Sequence, residues 1–111
     1  MKTELVVSFE YEGTHFWPNP PEKFEEFGQE HRHIFKFIVF FSTIHRHDPT
    51  RRDYELFEAR RFCLDKVDQM FNHQFGGMSC EGIADAVINL TRASKVFVGE
   101  DYWLGAWVSQ A

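Results

Sequence analysis

The stretch "HRHIFKFIVFFSTI", His31 to Ile44, constrains this chain more than any other. Residues two apart in a strand share a face. One face then carries His31, His33, Phe35, Phe37, Val39 and Phe41; the other carries Arg32, Ile34, Lys36, Ile38, Phe40, Ser42 and Ile44. Large apolar groups occupy the middle of both faces, so both must be covered. Helices can cover one. The other needs a second sheet or another subunit.

The rest of the chain supplies those helices. Glu4 to Glu12 alternates, with Leu5, Val7, Phe9 and Tyr11 on one side and charged or polar residues on the other, which predicts a first strand ended or bulged at Gly13. "FWPNPPEKFEEFGQE" holds Pro18, Pro20 and Pro21 and predicts an irregular loop. Tyr54 to Phe71 has helical spacing, with Leu56, Ala59, Cys63, Val67 and Met70 on a face widened by Phe57, Leu64 and Phe71. "NHQFGGMS" interrupts the pattern. Ser79 then stands as N-cap of a second helix burying Ile83, Ala86, Val87 and Leu90. "KVFVGE" and "YWLGAWV" close the chain as two more strands. The predicted order is β-β-α-α-β-β: one α+β domain over residues 1–111, an antiparallel four-stranded sheet with two helices on one face.

Composition narrows the function classes. Thirteen phenylalanines and three tryptophans in 111 residues need two packed layers or a subunit interface. A net charge of -5 with interspersed signs argues against nucleic acid as a partner. Two cysteines, Cys63 and Cys80, read as reduced thiols. The first residues lack an apolar run of signal-peptide length, and "IFKFIVFF" is too short to cross a bilayer, so the expectation is a cytoplasmic protein with no membrane partner.

The tripeptide His-Arg-His occurs twice, at His31 to His33 and at His45 to His47. On a strand, His31 and His33 project side by side and could supply two ligands of a zinc site. An uninterrupted strand at ~3.3 Å per residue would put the second pair roughly 46 Å away. If the first two strands pair antiparallel across the Pro-rich loop, His15 comes to lie opposite His31 and His33 as a third ligand. The second pair abuts Asp48-Pro49 and reads as a solvated turn. Against the metal reading stands a plain one, a polar strand start at a sheet edge.

These residues resemble the 6-pyruvoyltetrahydropterin synthase and 6-carboxytetrahydropterin synthase family along nearly the full chain. "SFEYEGTHF", ending in His15, is similar to the family's first-strand histidine stretch, and "HRHIFKFIVFF" stands where "HGHNYxVxV" would. "RRDYELF" resembles Asp-Phe-x-x-Leu at Asp53. "NHQFGG" stands for Asp-His-x-x-Leu-Asn, giving Asn72 and His73. "MSCEGIADAV" is similar to "PTSENLAxxI", giving Ser79 and Glu81, and "VFVGED" to "VxVxET", giving Glu100.

The resemblance implies the T-fold, in which three subunits join sheets into a barrel and two barrels commonly stack as a homohexamer. It implies Zn2+ on His15, His31 and His33, a small-molecule pterin substrate, and a lyase acting on 7,8-dihydroneopterin triphosphate to give a 6-pyruvoyl, 6-carboxy or 6-hydroxymethyl pterin. Zinc would make protons beside the side-chain hydroxyls more acidic. Glu100 would anchor the pterin through two parallel hydrogen bonds, with Ser79 also at the substrate, and His73 would assist proton transfer. The chain departs from the family in three places. No cysteine precedes His31, Asn72 replaces the aspartate beside His73, and Arg32 replaces the glycine between the zinc histidines. Some members use a glutamate in place of the cysteine, which makes Glu26, and then Glu30, candidate bases; each equally suits a solvated loop charge. Arg46, Arg51 and Arg52 could meet a triphosphate or form a solvated turn. The competing expectation is a repurposed homologue that binds metal and a pterin- or purine-like ring without the elimination chemistry.

Overall fold

A computed structural model describes residues 3–43, 55–101 and 103–110. The second His-Arg-His, Ile44, Arg51, Arg52, Asp53, Tyr54 and Tyr102 lie outside the described residues, and with them the expectations placed there.

The elements run β1 (Glu4–His15), β2 (His31–Ser42), α1 (Leu56–Phe71), β3 (Gln74–Gly76), α2 (Cys80–Thr91), β4 (Lys95–Glu100) and β5 (Leu104–Ser109). They form an α+β structure whose sheet has the order β3-β1-β2-β4-β5. Four of these strands are antiparallel neighbours, as the alternation predicts. The fifth, β3, is a correction: it pairs parallel with the end of β1, so the sheet is mixed and five-stranded. "NHQFGG" is therefore not a plain break. Thr14 N–H donates to the His73 carbonyl and Phe16 N–H to that of Gly76, both at 2.9 Å, and Phe75 is buried between Phe35 and Phe71.

β1 and β2 pair along their whole length, from Glu4 opposite Ser42 to His15 opposite His31. β1 thus runs through Gly13 to His15 rather than ending at Gly13. The glycine is needed for another reason: a Cβ there would run into the Phe75 ring. The Pro-rich loop also carries more order than its prolines suggest. Glu22–Gly28 is a 3-10 helix entered from Pro21, whose φ of -56° suits a helix start. Trp17 N–H donates to the Phe27 carbonyl at 2.8 Å and closes the loop on itself.

One sheet face is the core. Val7, Phe9, Tyr11, Phe35, Phe37, Val39, Phe41, Val96 and Val98 are buried there beneath the helices. Each such side chain contributes roughly 1.5–3 kcal/mol of burial. α1 packs on β1, and α2 on β4 and β5. α1 begins at Leu56, capped by the Glu55 carboxylate, which accepts from the N–H groups of Phe57 and Glu58. Its buried stripe is narrower than the expected face: Ala59, Cys63 and Val67. Leu56, Phe57 and Met70 are exposed, because a helix lying over an outer part of the sheet is covered along one stripe only. α2 starts on Ser79, whose Oγ accepts from Gly82 N–H at 3.2 Å. It buries Ile83, Ala84, Val87, Ile88 and Thr91, leaving Ala86 and Leu90 half-buried.

The other sheet face keeps its apolar groups near water. Val6, Ile34 and Trp107 are exposed, while Phe40 and Phe97 shelter under the Trp107 ring.

Candidate metal centre

The odd face of β2 runs from core to site without a break. Phe37 and Phe35 are fully buried; the next residues on that face, His33 and His31, stand just past the packed layer. The antiparallel register brings His15 across from them. Ring centroids are 4.6 Å apart for His15 and His31, 5.3 Å for His15 and His33, and 4.9 Å for His31 and His33. Phe35 forms the floor, its ring 5.2 Å from His15 and 5.7 Å from His33. One nitrogen from each imidazole lies within 4.8 Å of the others. The sequence-derived triad is brought together.

Each imidazole is also oriented from behind. His15 Nδ1 is 3.0 Å from the Met78 carbonyl and His31 Nδ1 is 2.9 Å from that of Gln29. A carbonyl only accepts, so both Nδ1 atoms carry hydrogen, which in a neutral ring leaves Nε2 with the lone pair. His33 Nδ1 faces the Asp101 carboxylate at 3.1 Å, the same arrangement with a charged acceptor. Histidines that ligate metals are held in this way.

Glu100 completes the cluster from β4. Its Oε2 is 3.2 Å from both His15 Nε2 and His33 Nε2. Yet His15 Nε2 and Glu100 Oε2 are buried and neither makes a hydrogen bond. Buried polar atoms without partners are rare and costly. A cation among them would satisfy both, so the residues present fit a bound divalent metal. Three imidazoles suit zinc, copper, iron or nickel.

The cluster opens into a cavity of about 620 Å³, walled by Trp17, Phe24 and Phe27. Trp17 and Phe24 stack at 5.5 Å, Phe24 and Phe27 at 6.0 Å, and Phe27 meets His31 at 6.0 Å. The same cavity is lined by Ser79 and Cys80 at the start of α2. Burial, reinforced by the negative charge of Glu100, pushes the Cys80 thiol up to about 11. The backbone hydrogen bond at the helix start, which lowers it, does not outweigh these two effects.

Two expected participants stand elsewhere. Glu26 is exposed on the 3-10 helix and does not line the cavity; Glu30 is exposed as well. His73 is half-exposed just past the end of α1, stacked on Tyr11, with Nδ1 2.6 Å from the Glu12 carbonyl. The carboxylate beside it is Asp68, 3.6 Å from His73 Nε2, a partner one helical turn before the position that Asn72 occupies. Arg32 points to the opposite sheet face and pairs with Glu12 at 3.2 Å. Asp101, Asp68 and the aromatic wall went unread in the sequence. An acidic residue next to Glu100 was a signal for the first; the wall gave only the density of aromatics in the loop.

No protein-family model matches this chain, and no curated protein matches it.

Proposed function

We propose that the chain is a zinc-dependent lyase of pterin metabolism acting on 7,8-dihydroneopterin triphosphate. The observation that carries this reading is the convergence of His15, His31 and His33, each oriented through Nδ1, on the floor of an aromatic-walled cavity. The resemblance in sequence supplies the substrate class.

His15, His31 and His33 would hold the metal, which supplies Lewis acidity toward substrate hydroxyls and so acidifies the neighbouring carbon-bound protons. Trp17, Phe24 and Phe27 offer flat apolar surface for a fused heteroaromatic ring. Phe35 keeps water from the side of the cluster that faces the core. Ser79 stands at the cavity as a polar contact for substrate. His73 and Glu26 would reach a substrate only across a subunit boundary. The exposed Val6, Ile34 and Trp107 on the outer sheet face support such an assembly, a homohexamer by resemblance.

A second reading is binding of metal and a pterin- or purine-like ring without turnover. It is favoured by one observation: the participants expected for the proton transfer, His73 and Glu26, do not line the cavity, and burial and Glu100 push its Cys80 thiol up to about 11.

Metal analysis of the purified protein separates the readings, followed by incubation with dihydroneopterin triphosphate and mass analysis. Near-stoichiometric zinc lost in a His31→Ala, His33→Ala double variant, with a shortened or dehydrated pterin side chain formed, supports the lyase. Zinc without product supports the binding protein. Absence of metal defeats both.

A further inference from the structure

We infer that Glu100 is a fourth protein ligand, so that the resting metal site is closed by three histidines and one carboxylate. The inference rests on the metal-site reading above and assigns Glu100 a task other than anchoring a ring.

The separations carry it. Ligands 2.0–2.1 Å from a tetrahedral zinc lie about 3.3 Å from one another along the edges of the tetrahedron. Glu100 Oε2 stands 3.2 Å from His15 Nε2 and 3.2 Å from His33 Nε2. One carboxylate oxygen thus sits at ligand spacing from two imidazole nitrogens at once.

The protons agree with the spacing. His15 gives its Nδ1 hydrogen to the Met78 carbonyl, and His33 turns Nδ1 toward Asp101. In neutral rings this aims two Nε2 lone pairs at a carboxylate oxygen that also has only lone pairs to offer. His15 Nε2 and Glu100 Oε2 stand 3.2 Å apart without the alignment of a hydrogen bond, and neither has such a partner elsewhere. That spacing and orientation suit a shared cation.

The topology explains how a residue 85 positions from His15 reaches it. Phe37 pairs with Val98 and Lys36 with Gly99 across β2 and β4. The next step along β4 puts Glu100 on the same face as Val98, beside Phe35 and next to His33. A carboxylate there borders both the histidine cluster and the cavity. A catalytic zinc keeps one position open, whereas a four-ligand site is closed. Substrate oxygen would therefore have to displace Glu100, and the displaced carboxylate would remain at the cavity wall.

Cobalt(II) tests this, with azide as probe. Co2+ should bind the wild-type protein with a tetrahedral visible spectrum that azide leaves unchanged. Glu100→Ala should still take up Co2+, but at least 10-fold more weakly, and azide should then shift its spectrum. Glu100→Gln, which keeps the side-chain shape, should show the same weakening and guards against misfolding of the alanine variant. Equal Co2+ affinity in all three proteins, or an azide response already present in the wild type, overturns the fourth ligand while leaving the three-histidine site standing. A wild type that binds no Co2+ overturns both.

Discussion

The ring of Tyr11 lies flat against the imidazole of His73, centroids 4.5 Å apart and planes 3° from parallel. The same phenol donates to Asp68 Oδ1 at 2.6 Å and accepts the His73 backbone N–H at 2.9 Å. It ties β1 to the end of α1 where Asn72 and His73 both adopt left-handed backbone, with φ of 47° and 66°. That conformation costs about 1–2 kcal/mol for a residue with a Cβ, and the phenol's two hydrogen bonds offset part of it. Tyr11→Phe keeps the stacking and deletes the hydroxyl. It should lower stability by about 1–3 kcal/mol, read from urea unfolding. Metal uptake should be unchanged, because Tyr11 is not in the histidine cluster.

The same residue makes stability pH-dependent in alkali. Burial first, then the Asp68 hydrogen bond, push Tyr11 from its ordinary 10.0 up to about 12. Burial alone pushes Cys63 from 9.0 up to about 12. In the unfolded chain both groups lose their protons at the lower values, while the folded chain keeps them. Between about pH 9 and 12 the unfolded state binds fewer protons, so stability falls as pH rises. The contribution is complete below pH 9 and gone above about 12. Urea midpoints measured across this window should decline, and Tyr11→Phe should flatten the part above pH 10. A midpoint constant through the window would show that both groups ionise as freely in the folded chain as in the unfolded one.

Gly105 is a different kind of constraint. It sits opposite Gly99 in the β4–β5 pair, and a Cβ there would run into the Val98 carbonyl and the Gly99 Cα. Both obstacles are backbone, which has little room to give. Gly105→Ala should therefore destabilise by about 1–3 kcal/mol and loosen β5. Tryptophan emission should move to longer wavelength as Trp107 loses its seat on Phe40 and Phe97. An unchanged spectrum and stability would mean the two strands can part at that point without loss.

What the sequence disclosed and what it hid divide along one line. β1 alternates along its length, β2 and β4 are runs of β-branched and aromatic residues, and α1 and α2 repeat over several turns, so their patterns stand above chance. β3 has three residues, the last of them Gly76, too few for any period, and exists because Phe75 fills the gap between Phe35 and Phe71. The widths of the helical faces were misjudged for a related reason: periodicity gives a direction but not how much of it a neighbour covers, and Leu56, Phe57 and Met70 stay exposed. His15, His31 and His33 were legible because one antiparallel register relates them. Glu100 was named only through the resemblance, as a ring anchor, and its approach to His15 and His33, like that of Asp101, was hidden because it depends on β2 pairing with β4 across the intervening helices.

Asp101 should act on the metal through His33 alone. Its carboxylate lies 3.1 Å from His33 Nδ1 and holds the ring's tautomer. Outer partners of this kind typically contribute 10–100-fold to metal affinity. Asp101→Asn should weaken zinc binding within that range in competition titrations with a chromophoric chelator, while His33→Ala should lose far more. If Asp101→Asn matched His33→Ala, the aspartate would have to be a ligand itself.

Metal removal should register in stability as well as in content. A metal that binds only the folded chain stabilises it by RT ln(1 + [L]/Kd), about 2.7 kcal/mol at a free concentration 100 times Kd. For this chain the folded state alone assembles the site, because His15 and His31 meet through strand pairing and Glu100 through a second strand. Added Zn2+ should therefore raise the unfolding midpoint of the chelator-stripped protein in a concentration-dependent way. His73→Ala, which alters a histidine outside the cluster, should keep that response in full. His15→Ala should abolish it, and if both variants responded alike the stabilising metal would be bound elsewhere than at the β1–β2 histidines.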